Sequence, residues 1–172
     1  MKKIFVIISV LFAVGAMTSC VKPYENEISL ALNNYDLTLD KIPAANKLGL
    51  NGECFHYIQV TATGPWELTV QPQNEGEIWC WLHDCYYVPQ KDESGHNIMD
   101  ENGYYLYNEV KVAEGVETFE GSSKFCTVRG NAGVTFVPME YTENKGSLRY
   151  ATVYVRRTDT GEMRVMNVVQ KI

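Results

Sequence analysis

From Ile28 onward, apolar positions recur at every second residue between short polar turns, and no long stretch carries helical spacing. Ile58, Val60 and Ala62 alternate with Gln59 and Thr61. After a break at Gly64-Pro65, Trp66, Leu68 and Val70 alternate with Glu67, Thr69 and Gln71. Ala151, Val153 and Val155 repeat the pattern, and Thr158-Asp159-Thr160-Gly161 then turns the chain into Met163 to Ile172, a C-terminal hairpin. Between these regions Asp100-Glu101-Asn102-Gly103 is a strong hairpin turn, followed by Tyr104-Tyr105-Leu106-Tyr107 and Val110-Lys111-Val112. The pattern predicts an all-β domain. Trp66 shares the apolar parity of Leu68 and Val70 and is expected in the core, whereas Trp79 and Trp81 share one face and divide between core and loop packing.

The first residues break this pattern. Lys2 and Lys3 precede an apolar run from Ile4 to Ala16, and Met17-Thr18-Ser19-Cys20 closes it. Small residues before a cysteine form a lipobox, so residues 1–19 read as a lipoprotein signal peptide and Cys20 as the lipidated N-terminus. The run is too short to remain as a spanning helix, since a bilayer core of roughly 30 Å needs about 20 apolar residues. Acyl chains, at about 0.8 kcal/mol per buried methylene, then hold the protein to a membrane. Val21 follows the cysteine, which points to the outer membrane. Residues 20–27, with Pro23 and two glutamates, read as a short tether.

Removing residues 1–19 from the 172 leaves 153, enough for one domain with a sizeable core. The whole chain carries 15 basic and 21 acidic side chains, a net charge of −6, and the loss of Lys2 and Lys3 makes the remainder more acidic. No nucleic-acid partner is expected, because phosphates reward clustered Lys and Arg. Of the five cysteines, Cys54, Cys80, Cys85 and Cys126 remain beside Cys20. Outside the cytoplasm an even count fits two bridges, with three pairings open; reduced thiols are the other reading. Cys80, His83 and Cys85 do not follow a paired zinc spacing, and no phosphate loop, serine elbow or calcium loop is present, so no cofactor and no enzyme is expected.

Several residues together carry a family resemblance. Trp66-Glu67-Leu68-Thr69-Val70 after Gly64, a second tryptophan at Trp79 or Trp81, then Asn144, Arg149, Ala151, Val153, Val155 and a terminal Val168-Val169-Gln170 run in the order of a BACON domain. The chain resembles that family over residues 28–82 and 129–172. The resemblance implies an immunoglobulin-like β-sandwich over residues 28–172 with a long, hairpin-containing insertion at about 83–128, and a carbohydrate association. Cys80, Cys85 and Cys126 would then lie at the edges of the insertion. A bridge from Cys126 to Cys80 or Cys85 would stabilise it by about 3 to 4 kcal/mol.

Long loops on a rigid scaffold are where function usually resides. Sugar recognition stacks the apolar face of a pyranose on aromatic rings and binds its hydroxyls with amides and carboxylates. Tyr104, Tyr105, Tyr107, Asn108 and Asp100 supply both kinds of group and are the candidate ligand-binding residues, with Tyr86, Tyr87, Asn97 and Glu101 nearby. The competing reading is that Tyr105 and Tyr107 only pack the hairpin onto the sandwich. Asn144 and Arg149 are expected to satisfy turn carbonyls. The sequence thus reads as a non-catalytic envelope lipoprotein that binds glycan or mucin-type sugars, or else as a structural module that docks another envelope protein.

Overall fold

The computed structural model describes residues 28–43, 56–74, 76–112, 117–119 and 124–172. The signal segment, Cys20, the tether and Cys54 lie outside the described residues. Among the described residues there is no helix. The strands form two sheets. The first has the order β1 (Leu30–Leu32), β3 (His56–Ala62), β9 (Gly133–Tyr141), β6 (Cys85–Pro89) and β7 (Tyr107–Lys111), with β5 (Cys80–Leu82) also on β9. The second runs β2 (Asp36–Leu39), β11 (Met163–Gln170), β10 (Arg149–Arg157), β4 (Trp66–Pro72) and β8 (Thr127–Gly130).

Period-two alternation explains both the strands and their packing. In β4 the side chains of Trp66, Leu68 and Val70 are sealed from solvent while Glu67 and Thr69 face outward. β10 buries Ala151, Val153 and Val155, and β11 buries Met166, Val168 and Gln170. These face Leu30, Ile58, Val60, Leu82, Val137 and Met139 of the other sheet in one hydrophobic cluster. The expected C-terminal hairpin is present, with Arg149 opposite Gln170 and Arg156 opposite Met163. The Gly64-Pro65 break carries the chain from one sheet to the other, since β3 and β4 belong to different sheets.

Trp66 joins the two layers. Its ring meets Tyr86 of β6 edge-on at 5.8 Å, and its indole N–H donates to the Asn131 carbonyl at 2.8 Å. Gly130, opposite Trp66 on β8, leaves the space the ring occupies, for a β-carbon there would lie inside the ring's van der Waals surface. Trp79 is also in the core at 3% exposure, while Trp81 is half-buried beneath the Lys124 ammonium at 4.3 Å. The two do not share a face because β5 begins only at Cys80.

Buried polar side chains tie off the ends of the sandwich. Asn144 donates to the Ser147 and Lys171 carbonyls and accepts from the Gly146 N–H, and Gln170 donates to the carbonyls of Asp40, Lys41 and Thr142. Arg149 donates to Thr142 Oγ1 at 3.0 Å and to the Glu143 carbonyl at 3.4 Å. At the opposite end Arg157, buried beside Gly64, pairs with both oxygens of Asp159 and donates to Thr63 Oγ1 and the Ser29 carbonyl. The guanidinium holds the Asp159 carboxyl below its usual range.

Cys80, Cys85 and Cys126 are free thiols here. Leu82 and Phe125 exchange main-chain hydrogen bonds, so Cys126, one residue on, turns away from the core face that Cys80 and Leu82 share. Cys126 lies against the Glu117 carboxylate, and burial pushes the Cys80 thiol far up.

Candidate functional site

The first sheet carries apolar groups on both faces. Along β9, Thr135, Val137 and Met139 point to the core while Val134, Phe136 and Pro138 point outward. Tyr57 meets Tyr87 edge-on at 6.2 Å and Phe136 meets Tyr107 at 5.4 Å, both pairs on the outer face. Opposite Val137 and Pro138 the β5–β6 side spends four residues, His83 to Tyr86, a bulge that accommodates a proline lacking an N–H in a central strand.

Between β6 and β7 an arm, Gln90 to Leu106, leaves the sheet. Two turns of the same construction shape it. Asp92 Oδ1 accepts from the N–H groups of Ser94 and His96 at 2.8 and 2.9 Å, and the Gly95 N–H donates to the Asp92 carbonyl. Asp100 Oδ1 likewise accepts from Asn102 and Tyr104 at 2.8 and 2.9 Å, and Gly103 donates back to Asp100. Gly95 and Gly103 have φ of 84° and 83°, the left-handed region glycine supplies without a steric cost. A closed ring of main-chain bonds then joins the three legs. Ile98 N–H donates to the Gln90 carbonyl, Leu106 to Ile98, and Gln90 to Leu106, each at 2.9 Å.

The arm and the outer face enclose a cleft of about 670 Å³. Val88, Pro89 and Tyr107 form its floor with Phe136 and Val134, Gly133 and Ala132 one end, and Lys91, Asn97 and Tyr105 the wall from the arm. Tyr105 remains 44% exposed. Burial, with Tyr105 nearby, raises the pKa of Tyr107, so its phenol stays a neutral hydrogen-bond donor and acceptor. Among the described lining residues there is no carboxylate, histidine or thiol, and Lys91 is the single charged side chain.

The cleft thus brings together Tyr105 and Tyr107 of the sequence candidates. Tyr104 is 62% exposed and does not line it, nor does Asn108, which is exposed on β7. Asp100 closes its turn through its own carboxylate rather than facing the cleft. Lys91, Phe136 and Val134 were not among the candidates. The run Val134 to Met139, apolar except for Thr135, is a signal for a strand covered on both faces.

A second cleft of about 420 Å³ opens at the sandwich edge beside Trp66, Tyr86, Lys111 and Arg129. Its cations are neutralised, Lys111 by Glu109 at 2.9 Å and Asp84 at 3.6 Å, Arg129 by Glu67 at 2.9 Å. No metal centre forms around Cys80, His83 and Cys85. Cys80 is sealed in the core, His83 Nε2 is 2.7 Å from Glu140 Oε1, and among the described residues no three His, Cys, Asp or Glu are placed to hold an ion. Comparison with family models, curated proteins and solved structures returns no match.

Proposed function

We propose that this protein is a non-catalytic glycan-binding module, an immunoglobulin-like sandwich of the BACON type tethered to the outer membrane through a lipid on Cys20. The cleft carries the reading. It offers aromatic rings from Tyr105, Tyr107 and Phe136 beside the Asn97 amide, the combination a pyranose uses for its C–H face and its hydroxyls. The scaffold roles of Trp66, Asn144, Arg149 and Gln170 support the resemblance, with residues 83–128 as the insertion that supplies the arm. A second reading, an arm that docks another envelope protein, is favoured by Met99 and Tyr104, 50% and 62% exposed away from the cleft.

Tyr105→Ala tests the glycan reading, because Tyr105 is exposed and contributes little to the core. A glycan array should give specific signal, and the variant should weaken it by about 1 kcal/mol, roughly fivefold, with an unchanged melting temperature. A silent array with folded protein, or loss of binding to a protein partner in Tyr104→Ala instead, would reject it. For the anchor, Cys20→Ala should abolish lipid labelling and release folded protein to the soluble fraction. Label and membrane pelleting that survive the substitution would refute lipidation at this position.

A further inference from the structure

Resting on the glycan reading of the cleft, we propose that it selects anionic sugars, with Lys91 pairing with the carboxylate or sulfate of the ligand. The chain as a whole is acidic, with a net charge of −6, and its general field disfavours anions. The cleft departs from that background, since its single charged lining residue is a cation.

Most other cations of the described surface are already committed. Lys111, Arg129, Arg156, Arg157, Arg164 and Lys171 all lie within ion-pair distance of a carboxylate. Lys91 has no such pair among the described residues. Its neighbour Asp92 is occupied otherwise, its Oδ1 accepting the N–H groups of Ser94 and His96 and its Oδ2 lying 3.7 Å from His96 Nδ1. Lys91 opposite Asn97 at the base of the first turn is fixed in place by a main-chain bridge, so its stem starts from ordered backbone. A neutral sugar can only accept hydrogen bonds from the Lys91 ammonium, whereas a glycan bearing a carboxylate or sulfate gains an ion pair as well, stacking its ring on Tyr107 and Phe136, bonding a hydroxyl to Asn97 and presenting its charge to Lys91.

Calorimetric titration of the full-length protein tests this with three oligosaccharides of one backbone, ending in glucose, in glucuronate or in a sulfated glucose. Either charged form should bind about fivefold or more tightly than the neutral one at low salt, and the advantage should shrink as ionic strength rises. Lys91→Gln should erase the advantage of the charged forms over the neutral one with an unchanged melting temperature, and Lys91→Arg should keep it. A preference for glucuronate over sulfate, or the reverse, identifies the anion. Equal affinity for the neutral form, or a charge preference that survives Lys91→Gln, overturns the proposal while glycan binding stands. Absence of binding to all three, with an array equally silent, removes both.

Discussion

In β4 and β10 every second side chain is sealed between the sheets, whereas from Lys91 to Leu106 only Ile98 and Asp100 are not exposed. The two regions are held by different means. In the sandwich, burial of Trp66, Leu68, Val70, Val153 and Val155 supplies the stability and the ladders follow. In the arm the main chain holds itself, through two aspartate turns and a ring of bonds joining residues 90, 98 and 106. The sandwich therefore constrains which side chains it accepts, and the arm constrains mainly where aspartate and glycine stand. A ligand surface built on such an arm can change its outward residues at little cost to the fold.

Substitution on each side of this contrast would break or sharpen it. Trp66→Ala should have the largest effect, about 3 to 5 kcal/mol, from the lost burial and the cavity beside Gly130 and Tyr86. The melting temperature should fall on the order of 10 °C. A loss near zero in a calorimetric scan would mean that the ring does not join the sheets. Asp100→Ala should act far more weakly on global stability, about 1 kcal/mol or less, because it removes two hydrogen bonds at an exposed turn. Its effect should appear instead as faster hydrogen exchange at the Asn102 and Tyr104 amides. A melting shift as large as that of Trp66→Ala would show that arm and sandwich unfold as one, and the distinction would collapse.

The same contrast explains what could be read from the residues alone. The inward sets of β4, β10 and β11 follow from alternation, and Trp66 with them, since burial on one face leaves a period of two in the sequence. Gly64-Pro65 reads correctly as a break, but sequence spacing does not say whether a break makes a hairpin or crosses between sheets. The turn at Asp100 is legible from Asn102-Gly103. Its counterpart at Asp92, with Ser94-Gly95 in the same places, is visible once the construction of the first is known. The ring that joins the legs leaves no trace, because main-chain bonds are indifferent to side chains. Tyr105 and Tyr107 share a face by parity, which placed them together. Asn97 reaches the same cleft as Lys91 only because the chain folds back at the Asp92 turn, and Phe136 arrives from a strand far along the chain.

Arg157 has a mechanical consequence. β1 is an edge strand, paired only to β3, and any tension applied through residue 28 enters at Leu30 and would peel the ladder open from that end. Peeling breaks bonds one at a time, the weakest way to load a strand. The Arg157 guanidinium, clamped by Asp159, grips the Ser29 carbonyl just ahead of the first β1 pair, and the Glu162 carboxylate contacts the Ser29 hydroxyl. A pull entering at residue 28 is therefore shared between the C-terminal hairpin, through Arg157 and Glu162, and the Thr63 N–H that donates to the same Ser29 carbonyl, before the Leu30 rung of β1 is strained.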